Sequence, residues 1–344
     1  MRIALLVPSR STRLVDPAYQ QRLVGALRTA GHAIQFREIA FQHPSARMQA
    51  PQAAGAILAS LPRDTTIVVD GLALPAFEGV PEELSARHTV ALVQHCAALE
   101  TGLGERQRAD LRAAEQRLLP RLHRVVVSNA SIRDRLVTEF ALNPERIRVV
   151  DPGTDDLRRS IGSRGPGCSI LSTGALMPRK GHDILLRALA PLWDIEWRLT
   201  IVGAHDRDCV HTQRLFALSE ELGIAERVCF TGELPDAEME AVWVKADVFA
   251  RANSSGGHGI AIAEALRRGL PVALTSNSPA ASLVPSDAGV ICEPGDHAAL
   301  SQGLRRLIFS ADLRAYMGEQ AWQAGRLLPD WEIQAARFIE ALRS

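Results

Sequence analysis

Two short segments in the second half of the chain carry residues suited to binding a phosphorylated ligand. The first, STGALMPRKGHDILLRAL (172–189), places Arg179 and Lys180 just before Gly181 and a helical pattern. Free N–H groups and the dipole at a helix N-terminus favour anions, and two adjacent cations add to that attraction. Lys180 and Lys245 are the only lysines in an arginine-rich chain, which favours a site that needs a compact ammonium. An ordinary solvated loop is the alternative for this segment taken alone.

The second segment, ANSSGGHGIAIAEALRRGLPVALTS (252–276), joins a glycine-rich loop to an apolar helical stretch. Gly256, Gly257 and Gly259 let backbone amides approach an anion closely, and the helix from about residue 259 adds its positive end. Glu264 lies about one turn inside that helix. A carboxylate there cannot neutralise a phosphate, but it can accept hydrogen bonds from two hydroxyls, as a ribose offers. The alternative is a tight connection followed by a surface glutamate.

The elements that must position these segments are short apolar, β-branched runs alternating with helical patterns. Strands that are apolar throughout and alternate with helices indicate parallel sheets covered on both faces. Because both halves show this alternation and 344 residues exceed one ordinary core, we predict an α/β fold with two Rossmann-like, doubly wound domains facing across a cleft. The predicted strands are 2–8, 32–39, 65–70, 88–94, 124–129, 146–150, 169–174, 198–203, 227–232, 247–251, 271–276 and 289–293.

The seam between the domains is predicted at residues 151–167, DPGTDDLRRSIGSRGPG, which carry Pro, Gly, Ser and charge without apolar periodicity. We therefore predict an N-terminal domain over 1–155 and a C-terminal domain over 166–325. Residues 326–344 are predicted to form a last helix that crosses back to the N-terminal domain.

Composition limits the class of protein. Acidic and basic residues number 39 each, so no net field favours nucleic acid or an anionic membrane surface. No apolar run approaches the roughly 20 residues that a bilayer demands. Scattered cysteines without C-x-x-C spacing are expected to be reduced and buried, which favours the cytoplasm, with peripheral binding at the inner membrane left open. These cysteines are Cys96, Cys168, Cys209, Cys229 and Cys292.

The order and spacing of the two segments resemble the retaining glycosyltransferases of family 4, also called glycosyl transferases group 1, which have the GT-B fold. The resemblance is dense over about 168–310 and thinner in the first half. It rests on TGALMPRKGHDILLRAL, WRLTIVG, RVCFTGELPDAEMEAVWVKADVF, GHGIAIAEALRRGLPVALT and AGVICEPGDHAAL, with VVDGLAL, VQHCAALETGL, VVVSNASIRDRL and VVDPGTD in the first half.

The resemblance implies a role for individual residues. Lys180 falls on the lysine that neutralises the donor diphosphate, and Glu264 on the second Glu of an E-x7-E motif that holds the nucleotide ribose. His95 falls near the histidine beside the transferred sugar, in an N-terminal domain that binds the acceptor. The implied catalytic residues are Lys180 and His95; the implied nucleotide-sugar site comprises Lys180, Arg179, Gly256, Gly257, His258, Gly259, Ile260 and Glu264.

Three positions depart from the family pattern. Ala175 stands where an Arg usually follows the Gly of a G-R-L-x-x-x-K motif, and Gly256 stands where the first Glu of E-x7-E is expected. No Gly-Gly pair occurs near Pro17, Ala18 and Tyr19 after the first strand. Losing one Arg–phosphate contact costs on the order of 1.5–3 kcal/mol, and Arg179 or Arg251 is a candidate replacement.

The resemblance therefore implies a retaining transferase that moves a sugar from a UDP- or GDP-linked donor to an unidentified glycan, lipid or small-molecule acceptor. It implies no cofactor and no essential metal. Two alternatives stay open. One is a catalytically silent GT-B protein that binds or scaffolds a partner glycosyltransferase, which the three departures favour. The other is a nucleotide-sugar epimerase of similar architecture.

Overall fold

The computed structural model of the chain describes residues 1–8, 18–39, 50–99, 104–252, 259–275 and 279–343. The chain divides into two compact units. The first contains Met1–Gly153 together with Asp330–Ser344, and the second contains Thr154–Pro329. The chain therefore passes between the units twice, and its C-terminal residues belong to the first.

The first unit is built on a parallel sheet. Helices cover both of its faces, so the two central strands, TIVVD and TVALV, are buried at every position. The strands are β1 (Arg2–Pro8), β2 (Ala33–Ile39), β3 (Thr66–Asp70), β4 (Thr89–Val93), β5 (Arg124–Val127) and β6 (Ile147–Val149). Across the sheet their order is β2-β1-β3-β4-β5-β6, and every neighbouring pair is parallel.

The helices of this unit carry one apolar stripe each and bury it against the sheet. Leu58, Leu111 and Leu136 join strand residues such as Leu6 and Val69 in one apolar core. These helices are α1 (Ala18–Thr29), α2 (Ala50–Ser60), α3 (Pro81–Ser85), α4 (Glu105–Leu118) and α5 (Ala130–Phe140).

The second unit is also a parallel sheet between two layers of helices. Its strands are β7 (Cys168–Thr173), β8 (Trp197–Val202), β9 (Val228–Gly232), β10 (Val248–Arg251), β11 (Val272–Thr275) and β12 (Gly289–Cys292), in the order β12-β11-β10-β7-β8-β9. Its helices are α6 (His182–Leu189), α7 (Cys209–Glu221), α8 (Asp236–Lys245), α9 (Ile260–Arg267), α10 (His297–Phe309) and α11 (Ala311–Arg326). Separate apolar cores lie on the two faces of the sheet.

Most of the segment that we expected to link the domains packs on the second unit. The Ser160 amide donates to the carbonyl of Arg268 at 2.8 Å, and the Ile161 amide donates to the carbonyl of Val244 at 2.9 Å. The segment thus finds its hydrogen-bond partners on the second unit, and the pattern of its apolar residues gives no sign of them. The second unit accordingly begins at Thr154 rather than at residue 166.

The last helix, α12 (Trp331–Arg343), belongs to the first unit and packs against α1 and β5. The rings of Trp331 and Tyr19 meet edge to face with centroids 5.6 Å apart, and the Tyr19 hydroxyl donates to the carbonyl of Val150 at 3.0 Å. At the other end of the helix, His88 Nε2 donates to the carbonyl of Leu342 at 2.8 Å.

The predicted fold class is confirmed: two parallel α/β sheets are present, and each of the twelve predicted strands overlaps an observed one. In the described residues, no helix is both long and apolar enough to cross a membrane.

Candidate functional site

The strand order of the second unit makes neighbours of the strands that precede the two segments predicted to bind phosphate. The chain runs from β7 to β8 and β9 on one side, then returns to place β10 on the other side of β7, with Phe249 paired to Leu171. At such a reversal in an open parallel sheet, ligands bind outside the carboxyl ends of the strands. The loop after β7 carries Lys180, and α9 is the element that follows β10 in the chain.

The loop after β7 is held in place by close backbone contact. A Cβ added to Gly203, at the end of β8, would lie 2.1 Å from the carbonyl oxygen of Gly174, so only glycine fits there. Pro178–Lys180 then form a 3₁₀ turn, and the Lys180 side chain folds back across Gly174, its Nζ 3.3 Å from where a Cβ would stand. The ammonium is thereby kept near the end of β7.

His182 lies beneath this loop, and its pKa reflects the charges around it. The ring is 1% exposed, and Nε2 donates to the carbonyl of Gly174 at 3.1 Å. Burial, together with the neighbouring cations Lys180 and Arg251, lowers the pKa of His182 to about 4. Arg251 ends β10 and is itself buried. The carboxyl ends of β7 and β10 therefore share a region of positive potential.

The start of α9, the helix that follows β10 in the chain, carries backbone donors. Gly259 caps the helix with a φ of 74°, a conformation that favours glycine, and within the described residues no side chain caps this end. The first N–H groups of a helix lack partners inside it, so the amides from Ile260 onward are suited to an anion. Gly256, Gly257 and His258 lie outside the described residues.

Glu264 is held by a buried arginine one turn further along α9. Arg268 is 2% exposed; its Nη2 lies 3.4 Å from Oε1 of Glu264, and its Nη1 donates to Oε1 of Glu240 at 3.1 Å. The guanidinium also lies over the Trp243 ring, 5.3 Å from its centroid. Arg268 thus restrains the carboxylate that we predicted would bind ribose hydroxyls.

The first unit places polar side chains at the carboxyl ends of its own central strands. Asp70 ends β3, and its carboxylate accepts hydrogen bonds from the Leu72 amide at 2.8 Å and from Gln20 of α1. His95 follows β4 and is half-buried. A Cβ on Gly71 would lie 3.4 Å from the His95 carbonyl oxygen, so the turns after β3 and β4 are in contact.

A buried carboxylate lies under the turn that carries His95. Glu115 of α4 is 2% exposed and accepts hydrogen bonds from the amides of Ala97 at 2.7 Å and Ala98 at 3.2 Å. Burial raises the pKa of Glu115 to about 7, although the two amides and Arg112 favour its ionised form.

The prediction that the cysteines are buried is met only in part. Cys96 and Cys168 are buried thiols, as expected, but Cys209 and Cys229 are exposed because the first begins α7 and the second lies on the edge strand β9. No three His, Cys, Asp or Glu side chains of the described ranges converge as a metal site would require.

Sequence reasoning overlooked three of these residues, although each left a signal. Glu115 shares the apolar stripe of α4 with Leu111 and Leu118, where a charge is unexpected. Arg268 stands four residues after Glu264, the spacing of a helical ion pair. His182 directly follows the R-K-G turn, but nothing in the sequence indicates that its ring is buried.

Comparisons with known proteins agree with this geometry. The glycosyl transferases group 1 family matches residues 154–324. A D-inositol 3-phosphate glycosyltransferase of Mycobacterium sp. (strain KMS) is 32% identical over 196 residues, which cover 54% of this chain and 44% of that protein. The chain spans about half the length of the curated relatives that it matches.

Solved structures match over nearly the whole chain. Anabaena Alr3699/HepE in complex with UDP and glucose superposes with a TM-score of 0.79 at 17% identity, covering 99% of both chains. Sucrose-phosphate synthase from Thermosynechococcus elongatus superposes with a TM-score of 0.80 at 16% identity, covering 100% of this chain and 98% of the other. At these identities the likeness shows the fold, which is GT-B. The second unit is thus the part of the chain that matches the glycosyl transferases group 1 family.

Proposed function

We propose that this protein transfers a sugar from a nucleotide-diphosphate sugar to an acceptor, with retention of the anomeric configuration. One observation supports the proposal: Lys180 and Arg251 lie near the buried His182 at the carboxyl ends of the paired strands β7 and β10, and α9, which follows β10 in the chain, begins without a side-chain cap among the described residues. An ammonium, a guanidinium and free helix amides together suit a diphosphate better than any neutral ligand.

The cations act on charge that develops during the reaction. Breaking the bond between the sugar and the diphosphate leaves negative charge on the departing oxygen. Donors that are already oriented stabilise this charge without reorganising, and removing one such group typically costs on the order of 100- to 1000-fold in rate. In this proposal Lys180 and the amides from Gly259 onward hold the diphosphate, and Arg179 or Arg251 takes the place of the arginine missing at Ala175.

Glu264 takes the part of a ribose-binding residue in the same proposal. Its carboxylate is restrained by Arg268, and a carboxylate can accept hydrogen bonds from two hydroxyl groups. We propose that His95 contacts the transferred sugar or the acceptor. The reaction needs neither a cofactor nor a metal in this scheme. The cytoplasmic location, with or without peripheral membrane binding, remains a prediction.

The donor and the acceptor are best approached through the comparisons. UDP-glucose is the first donor to test, because UDP and glucose occupy the Anabaena structure. D-inositol 3-phosphate is the first acceptor to test, because the relatives are named for it. GDP-linked donors and other acceptors follow if these give no product.

The test compares Lys180→Ala with Lys245→Ala, which removes the only other lysine, an exposed residue of α8. Thermal shifts with UDP and GDP report binding, and transfer or slow hydrolysis of the nucleotide sugar reports chemistry. We expect Lys180→Ala to lose about 100- to 1000-fold in rate and Lys245→Ala to keep the wild-type rate. Equal rates in the two variants would show that Lys180 does not act on the diphosphate.

The same measurements decide the alternative of a silent scaffold. A wild-type protein that shows no thermal shift with either nucleotide, and no turnover, would favour a binding partner of an active transferase. Conversion of the nucleotide sugar without any acceptor or hydrolysis would instead indicate an epimerase.

A further inference from the structure

The turn after β4 is tied to α4 by one buried side chain. The two carboxylate oxygens of Glu115 accept hydrogen bonds from consecutive amides, those of Ala97 and Ala98. These amides begin the 3₁₀ turn Ala97–Leu99, directly after His95 and Cys96. The carboxylate therefore fixes the backbone that leads out of His95, whereas the strand fixes the backbone that leads into it.

We propose that Glu115 is a positioning residue whose ionised carboxylate holds the turn from His95 to Ala98 in the geometry used for sugar transfer, and whose protonation loosens that turn. This inference rests on the proposed function for its effect on catalysis. The anchoring itself is a property of the first unit alone.

The chemistry of the carboxyl group explains why protonation matters. An ionised carboxylate only accepts hydrogen bonds, so it can satisfy two N–H groups at once. A protonated carboxyl has one O–H donor, which cannot pair with an N–H. The hydrogen bond from one of the two buried amides is therefore weakened. Because burial raises the pKa of Glu115 to about 7, the change falls in the neutral range.

The charged and titratable groups around Glu115 are few. On α4 itself, Arg112 favours the ionised form, and on α5 the pair Arg135 and Glu139 lies near the adjacent thiol of Cys96. The turn Gly71–Phe77, which also packs on α4, carries no titratable side chain, and the turn Leu119–Arg121 ends in an arginine that is paired with Glu82. Of the described residues of the turn, His95 and Cys96 are titratable.

Amide exchange tests the anchor without any substrate. The protein is labelled with ¹⁵N-alanine, and exchange of the Ala97 and Ala98 amides is followed at pH 6 and pH 8, each corrected for the intrinsic rate. In a local opening that leaves Glu115 buried, loss of the two amide hydrogen bonds raises the pKa of Glu115 further, so protonation favours the open turn. In the wild type we therefore expect about tenfold stronger protection at pH 8. In Glu115→Gln, protection should be weak and independent of pH, since an amide side chain offers one acceptor only.

Glu105→Gln is the matched control, an exposed glutamate of the same helix, and it should behave as the wild type. Equal protection of both amides in Glu115→Gln and the wild type would overturn the inference. Should that variant not fold, the wild-type comparison between pH 6 and pH 8 decides alone, because unchanged protection would overturn the inference as well.

A rate profile tests the link to catalysis. Between pH 5.5 and 8.5, the wild-type rate of transfer or hydrolysis should rise through about pH 7, and Glu115→Gln should lack this rise while keeping its affinity for UDP. A rise retained in Glu115→Gln would overturn the catalytic part. If the wild type transfers no sugar at all, the proposed function fails, and the exchange experiment still supports or overturns the anchor.

Discussion

The two units share one architecture but place their buried titratable groups in opposite electrostatic settings. In the second unit, His182 lies under the loops of β7 and β10, with Lys180 and Arg251 close by. In the first unit, Glu115 lies under the turn after β4, and Asp70 ends the neighbouring strand. Burial is the largest cause of both pKa shifts: it lowers that of His182 and raises that of Glu115. One physical effect thus favours the neutral form of both groups.

Under the proposed function, the two units meet different ligands. The cations at the carboxyl edge of the second sheet meet the diphosphate, whereas Asp70 and His95 at the carboxyl edge of the first sheet meet hydroxyl groups through hydrogen bonds. The strand orders differ as well: the chain returns to the other side of its first strand after two strands in the first sheet and after three strands in the second. The two units are therefore not interchangeable copies of one binding module.

The backbone contact beneath Lys180 gives the largest expected effect. A Cβ at Gly203 would meet the Gly174 carbonyl oxygen at 2.1 Å, so Gly203→Ala should lower the free energy of unfolding by more than about 3 kcal/mol or prevent folding. Gly71→Ala is the matched change in the first unit, where the nearest atoms lie 3.4 Å away, and we expect less than about 1 kcal/mol. Chemical denaturation measures both free energies, and equal losses in the two variants would show that the two glycines do not differ in this way.

Replacement of His182 should change how the second unit responds to acid. Its pKa is lowered from 6.5 to about 4, so the unfolded chain binds more protons than the folded one between these values. The free energy of unfolding therefore rises with pH across this window, by about 3 kcal/mol at 1.36 kcal/mol per pKa unit. His182→Gln should remove this rise, and His297→Gln, at an exposed site, should retain it. Denaturation at pH 4.5 and 7 measures the difference, and equal slopes would contradict the burial of a neutral ring.

Replacement of Glu115 should have the opposite sign in the first unit. Its pKa is raised from 4.5 to about 7, so the folded state binds more protons between these values. This contribution to stability is complete below pH 4.5 and is lost as the pH rises to 7, a fall of about 3 kcal/mol or somewhat less. Glu115→Gln should abolish the fall, and Glu105→Gln should not. A variant whose stability follows the wild type from pH 4.5 to 7.5 would contradict a buried, titrating carboxyl.

The smallest effect is expected where a carboxylate is partly exposed. Glu240→Gln weakens the charge-assisted bond to buried Arg268, but the Glu240 side chain is 39% exposed, so solvent screens the loss to about 1 kcal/mol. Arg268 then depends more on Glu264, and we expect UDP binding to weaken about threefold. Glu238→Gln, on the exposed face of the same helix, is the control. Calorimetric titration with UDP checks the change, and unaltered affinity would argue against competition for Glu264.

The architecture was largely predictable because buried parallel strands leave an unmistakable pattern. Runs such as TTIVVD and HTVALVQ are largely apolar, as expected for strands that are buried on both faces of a parallel sheet. Lys180 and Glu264 could be singled out for the same local reason, since a cation before a helix and an acid one turn into another are features of short segments.

Residues that act through distant backbone groups could not be predicted in this way. Glu115 meets Ala97 and Ala98 from 17 or 18 positions away, and no spacing rule relates a helix stripe to the turn of a preceding strand. The linker shows the same limitation, because Ser160 finds its partners at Val244 and Arg268, far along the chain.

The order of residue types alone thus specified the two parallel sheets and the two short segments suited to an anion, because these depend on apolar periodicity and on neighbours within one turn. Tertiary structure decided that those segments share one end of one sheet, since β7 and β10 become neighbours only when the strand order turns back. It also decided the protonation of His182 and Glu115, because a pKa depends on burial, and burial is a property of the folded chain rather than of any residue within it.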